Sequence, residues 1–308
     1  MSRCTCVLVL GCLVFVAQVD GGDSRKASDL SALHRQFQQL SSLHFRAQVE
    51  ILPGPGAVEP DCLCVVEPVA GEIQYWAEGN RYRILSTIEG DCYSWAQSEV
   101  AYDGRQFQLL RSDGTLIQSV RDDPRTVLPV VPNPLLELLQ FMHPLTDANQ
   151  YLRTRMVDVQ KDSPPESFWR ARWQPVRQQG VSGLERAVFP GGTYLSDVYE
   201  YNVYARPGQH DRPVRIDRVT TEGRLLSSSR FDAWVDVPGR GGKVTSWPFH
   251  VTMIGYDRRG TEAVRVDYFL YDVAVDRSYS SDIFRVQPAK AKRIWKDNEQ
   301  RFQPAHQR

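Results

Sequence analysis

Residues Gly71 to Leu110 read GEIQYWAEGNRYRILSTIEGDCYSWAQSEVAYDGRQFQLL. Two aromatic-rich runs, Ile73 to Trp76 and Tyr82 to Ile88, flank Ala77-Glu78-Gly79-Asn80, and a Gly-Asn pair between β-forming runs is tight-turn chemistry. The pair is therefore read as an antiparallel hairpin. A third run ends at Asp103-Gly104, a second hairpin signal, and Gln106 to Leu110 leads away from it. Strands joined in this way form a meander whose outer face can remain wet while its inner face needs cover.

Upstream, Ser24 to Ser42 has helical spacing, with Leu30, Leu33, Phe37 and Leu40 on one stripe opposite Arg35, Gln36 and Gln38. The period then changes: Phe45, Ala47, Val49 and Ile51 alternate with Arg46, Gln48 and Glu50, as in a half-buried strand closed by Pro53-Gly54-Pro55-Gly56. Met1 to Val19 carries Arg3 and then a nearly continuous apolar run, which has the length and polarity of a signal peptide ending at Gly21 and is too short for a membrane span. An alternative reading takes Val9-Leu10-Gly11-Cys12 as a lipobox that anchors the mature chain through a lipid on Cys12. Both readings place the protein outside the cytoplasm, in the periplasm or otherwise exported.

The chain has 308 residues, a length compatible with one large β domain, taken here as 22–290 with 155–190 as an elaboration and 291–308 as a polar tail. Lys plus Arg and Asp plus Glu both number 37, so no net charge steers the protein toward nucleic acid. After the leader, three cysteines remain: Cys62, Cys64 and Cys92. In an oxidising compartment, Cys92 is expected to bridge Cys62 or Cys64, closing a loop of about 30 residues worth roughly 3 kcal/mol. The metal alternative lacks a nearby His and zinc-like spacing.

Asn133-Pro134 is an N-cap followed by proline at the first helical position, and Pro144 ends the segment after Leu135, Leu136, Leu138, Leu139, Phe141 and Met142. These apolar residues almost encircle the helix, which must be buried on more than one side, either as a lid over a half-barrel or as a core helix of a sandwich. From Tyr151 to Gln179 the pattern weakens; Trp169-Arg170-Ala171-Arg172-Trp173 alternates with a strand's period of two. Strands then return at Tyr194 to Tyr204, Val214 to Thr220, Leu225 to Val235, Thr245 to Asp257, Ala263 to Val275 and Ile283 to Val286, separated by glycine turns.

No Gly-x-Ser-x-Gly elbow, His-Glu-x-x-His, P-loop or Gly-x-Gly-x-x-Gly is present, and the six His residues are scattered. No enzyme, cofactor or metal site is expected.

Ala27-Ser28-Asp29-Leu30 followed by Leu40-Ser41-Ser42-Leu43-His44-Phe45 resembles the amino-terminal helix and first strand of the periplasmic lipoprotein carriers, the LolA/LolB-like family. Gly71 to Ile84 is similar to that family's second and third strands, Tyr102-Asp103-Gly104-Arg105-Gln106 to its next hairpin, and Phe284-Arg285-Val286-Gln287-Pro288 with Asp297 to its closing strand and tail. The chain departs from the pattern at Glu78-Gly79, where the carriers place an arginine. The resemblance implies a mainly β fold: a strongly curved antiparallel sheet, an unclosed half-barrel, with an α lid over a cavity for acyl chains. Ile73, Tyr75, Tyr82, Ile84, Phe107, Leu109, Leu136, Leu139 and Met142 are then expected to line that cavity. The expected ligand is the acyl chain of a lipid or lipoprotein, with possible hand-over to membrane receptor proteins, in a monomer that binds no nucleic acid. The alternative is an envelope sensor or structural interaction protein built on the same scaffold.

Overall fold

The computed structural model describes residues 29–56, 67–88, 98–120, 171–177, 182–194, 197–296, 298–299 and 301–304. Helix α1 (Asp29–Gln39) precedes β1 (Ser42–Pro53), β2 (Val69–Glu78), β3 (Arg81–Ser86), β4 (Glu99–Tyr102), β5 (Phe107–Leu110) and β6 (Thr115–Ser119). After the short β7 (Gln174–Pro175) come β8 (Glu185–Tyr194), β9 (Asp197–Ala205), β10 (Arg215–Thr220), β11 (Leu225–Pro238), β12 (Val244–Tyr256) and β13 (Glu262–Val275). Two further strands follow, β14 (Arg293–Lys296) and β15 (Arg301–Pro304).

All of these strands belong to one open, curved sheet of 15 strands, in the order β15-β14-β6-β5-β4-β3-β2-β1-β13-β12-β11-β10-β9-β8-β7. Among the described residues the edge strands β15 and β7 do not meet, so the sheet is open and is not closed into a barrel. β1 sits near the middle; the amino-terminal strands run out one way from it, and the later strands start at the far edge and return until β13 pairs with β1. Local hairpins explain most of this order. Gly79 (φ 56°), Gly104 (φ 93°) and Gly223 (φ 87°) occupy left-handed turn positions, as the Gly-Asn, Asp-Gly and Glu-Gly signals predict.

Period-two alternation decides which face each strand buries. β1 buries Phe45, Ala47, Val49 and Ile51 while its intervening residues are half-buried or exposed. The outer face of β1, β2 and β13 is polar. There Arg46 Nη2 meets Glu72 Oε1 at 2.8 Å, Gln74 Nε2 donates to the same carboxylate at 2.6 Å, and the Tyr271 hydroxyl donates to its other oxygen. α1 lies on the inner side, where Leu30 and Leu33 join the apolar cluster of the sheet.

The structure corrects three expectations. The run from Ile283 to Val286 is not a strand: Ser281–Phe284 is a 3-10 turn in a segment that crosses the outer face. The basic residues after Ala291, read as a tail, instead extend the sheet, with β14 pairing in parallel with β6 and β15 closing a hairpin on it. Finally, Glu185 to Tyr194 is a full strand of the sheet, ahead of the expected strand that starts at Tyr194. The expected lid at 133–144, the leader with Cys12, and Cys62, Cys64 and Cys92 lie outside the described residues. Among the described residues, no helix is long and apolar enough to cross a membrane.

Candidate functional site

The register brings the sequence-predicted lining residues together wherever they are described. Directly opposed residues in antiparallel strands share a face. One row across the sheet is Phe45, Tyr75, Ile84, Val100, Leu109 and Ile117; the next is Leu43, Ala77, Tyr82, Tyr102, Phe107 and Ser119. Ile73 opposes Ala47 one step further along. Thus Ile73, Tyr75, Tyr82, Ile84, Phe107 and Leu109 all point inward, each at most 8% exposed. Leu136, Leu139 and Met142 lie outside the described residues.

Ring contacts tighten this half of the face. Phe45 stacks on Tyr75 with centroids 5.2 Å apart, and Tyr82 tilts against Tyr102 at 6.0 Å. Burial pushes the Tyr75 phenol well above its ordinary value, so it stays neutral.

The other half of the same face was not assigned residue by residue from sequence. It is built by Tyr268, Val251, Phe231, Val203, Tyr201 and Phe189, together with Trp247, and it belongs to one cluster with the amino-terminal half and α1. Alternation along β12, where Trp247, Phe249, Val251 and Met253 take the inner side, was the available signal. Bulges hid it elsewhere. Ala233 has φ 52° in β11, and the register shifts between Arg218 and Val219 in β10 and between Pro190 and Thr193 in β8.

The Glu78-Gly79 departure also has a structural reading. Arg81 pairs with Glu78 at 2.8 Å and covers the Phe284 ring at 4.5 Å. Arg83 reaches Glu99 at 2.7 Å and donates to the Ile283 carbonyl at 3.2 Å. Both arginines face outward and hold the carboxy-terminal crossing segment against the sheet, not the inner face.

Two open clefts are lined by a mixture of charged, polar and apolar residues. One of about 640 Å³ lies between the Asp103 turn and Arg285 to Pro288; the other, about 530 Å³, lies between Pro238 to Arg240 and Val275 to Ser278. On the outer face of β12, His250 stacks on Phe269 at 4.6 Å with Asp267 at 3.6 Å and Asp232 at 3.9 Å. Thr252 donates to Asp267 and lies 3.5 Å from the imidazole, so this group has no short nucleophile-to-base hydrogen bond. Among the described residues, no cluster of three or more His, Cys, Asp or Glu could hold a metal ion.

No protein-family model matches the chain, and no curated protein matches it. Solved structures do. A LolA superfamily protein from Nitrosomonas europaea aligns at 13% identity and TM-score 0.41, covering 84% of this chain and 98% of its own. A DUF1329 family protein from Desulfovibrio piger aligns at 11% identity and TM-score 0.43 over 85% and 97%. A putative outer membrane lipoprotein-sorting protein domain from Vibrio parahaemolyticus aligns at 9% identity and TM-score 0.46 over the same shares.

Proposed function

We propose that this protein is an extracytoplasmic carrier or chaperone that holds the acyl chains of a lipid or lipoprotein against the inner face of its open sheet. One observation carries the reading: strands from both ends of the chain pool their apolar residues into a single inner cluster, while the outer face of the same strands is charged. An open sheet with one such face can be completed by an apolar guest, whose burial is worth about 25 cal/mol per Å². The apolar segment Leu135 to Met142 is assigned the lid, with Leu136, Leu139 and Met142 turned to the guest. Export through the amino-terminal leader, a monomeric state and hand-over to a membrane receptor belong to the same proposal.

The test is displacement of an environment-sensitive fatty-acid probe from delipidated protein. The probe is expected to brighten with a Kd of about micromolar, near −8 kcal/mol. Unlabelled lipid should displace it, and Leu139→Asp should weaken it while circular dichroism stays unchanged. Absence of displaceable binding would remove the carrier reading in favour of a sensor or structural module.

A further inference from the structure

The cleft of about 530 Å³ lies where the loop joining β11 to β12 faces the chain leaving β13; Arg240 lines one wall, and Arg277 and Ser278 line the other. The loop reads Pro238-Gly239-Arg240-Gly241-Gly242-Lys243, with two cations among three glycines. It is a closed turn, since the Gly239 amide donates to the Lys243 carbonyl at 2.7 Å. Gly241 (φ 74°) and Gly242 (φ 78°) are left-handed and exposed, and a Cβ at either would meet nothing within 4 Å, so a ligand can approach the backbone there.

The opposite wall is fixed to the body of the fold. Asp276 holds φ 54°, a left-handed position that costs a non-glycine residue free energy. Three contacts keep it there: its amide donates to the Ser42 carbonyl at 3.0 Å, and its Oδ1 accepts from the Ser41 amide at 2.8 Å and the Ser41 hydroxyl at 3.0 Å. Ser42 in turn donates to the Arg277 carbonyl. Gly239 lets the loop close on this wall, because a Cβ there would sit 3.1 Å from Asp276 Oδ2 and 3.3 Å from Val275 Cγ2.

The lining is rich in unengaged donors. Arg240 and Arg277 are both exposed, and neither guanidinium has an ion-pair or hydrogen-bond partner among the described residues. The one carboxylate on the lining, Asp276, is held through Oδ1 by Ser41 and directs Oδ2 toward Gly239. Two guanidinium forks on facing walls, with a hydroxyl beside one of them, suit an anion with several oxygens. A tetrahedral phosphate can accept from both walls at once.

We propose that this cleft binds a phosphate group, gripped by Arg240 from the loop and by Arg277 and Ser278 from the facing wall. Asp276 Oδ2 adds a selection: it repels a fully ionised phosphate and accepts from a hydroxyl or ammonium beside a phosphate ester. The ligand class is therefore a phosphate ester of a small polar alcohol, such as a glycerophosphate, either free or as a lipid head group. None of the proposed acyl-lining residues borders the cleft, so the site stands or falls independently of the acyl reading.

The test is calorimetric titration of the protein with glycerol 3-phosphate, inorganic phosphate and glycerol, together with co-flotation on phosphatidylcholine vesicles with and without phosphatidylglycerol. Glycerol 3-phosphate is expected to bind about threefold more tightly than inorganic phosphate, and glycerol not at all. Arg240→Gln and Arg277→Gln, exposed changes that should leave Tm in place, are each expected to weaken the phosphate compounds about tenfold. Arg230→Gln, an equally exposed arginine outside the cleft, should change nothing. Asp276→Asn, which keeps an acceptor for Ser41 and tolerates the left-handed turn, should erase the preference for the ester over inorganic phosphate. Binding of the free ester without flotation would assign a soluble ligand; flotation that needs phosphatidylglycerol, Arg240 and Arg277 would assign a lipid head group. Equal binding of ester and inorganic phosphate by wild type would overturn the role given to Asp276. No binding of any phosphate compound and no flotation, or binding that survives both arginine substitutions or falls equally with Arg230→Gln, would overturn the site and leave the acyl reading untouched.

Discussion

At the scale of single residues, the sequence pattern was informative wherever alternation was clean. Ile73, Tyr75, Tyr82, Ile84, Phe107 and Leu109 were placed on the inner face because each strand alternates without a bulge, so one correct turn fixes the parity of its neighbours. Arg218, which opposes Tyr201 on the inner face, was invisible by the same logic, since an arginine in a strand reads as outward-facing. Two residue-level expectations follow from the packing. Gly71 approaches Ile88 so closely that a Cβ would sit 2.4 Å from the Ile88 Cα, a backbone atom that cannot swing aside. Gly71→Ala is therefore expected to cost about 1–3 kcal/mol in denaturant unfolding, and an unchanged midpoint would contradict the contact. Burial holds the His44 imidazole below its ordinary value of 6.5, against a raising pull from Asp272 and with Arg46 and Arg277 adding to the depression. Its ring stacks on Trp76 at 5.1 Å. The unfolded chain takes up this proton first, so the contribution is complete above pH about 6.5 and is lost as pH falls through that value toward the folded pKa. His44→Gln should flatten the fall in Tm between about pH 7 and pH 5; an identical slope would exclude His44 as a source.

At the scale of elements, the strands with apolar alternation and glycine turns were legible, and those held by polar or long-range contacts were not. β14 and β15 are basic and short, and what makes them strands is docking against the β6 edge, with Arg293 reaching Asp113 at 2.9 Å and Thr115 at 2.7 Å. β8 was missed because Pro190, Gly191 and Gly192 interrupt its period. Gly191 is required where it lies, since a Cβ there would meet the Tyr199 ring and carbonyl at 2.5 Å. The crossing segment that delivers β14 is clamped by Glu99, whose side chain is only 3% exposed and pairs with Arg83 at 2.7 Å and Lys290 at 3.1 Å. Arg83→Met is expected to cost about 3 kcal/mol, the low end for breaking a buried pair because Lys290 remains. It should also speed proteolysis within the crossing segment before the sheet core is cut. Uniform cleavage kinetics would show that the clamp does not hold that segment. Deleting the residues from Lys292 onward uncovers the β6 edge, and the truncated protein is expected to self-associate in sedimentation, as exposed edges do.

At the scale of the whole molecule, the open sheet gathers a charged outer face and an apolar inner face from opposite ends of one chain, with α1 on the inner side. The pairing of β1 with β13 is what unites the two halves, and it joins residues more than two hundred positions apart, beyond the reach of any local pattern. The central claim is that this inner face is where an acyl chain rests. The most direct measurement is photolabelling of the protein with a fatty acid carrying a photoreactive group in its tail, followed by peptide mapping. Labelled residues are expected on the inner face of β5 and β12, at Phe107, Leu109, Val251 and Met253, and to disappear when excess laurate is present. Labelling confined to outward positions such as Arg46, Glu72 or Tyr271, or insensitive to laurate, would contradict the account.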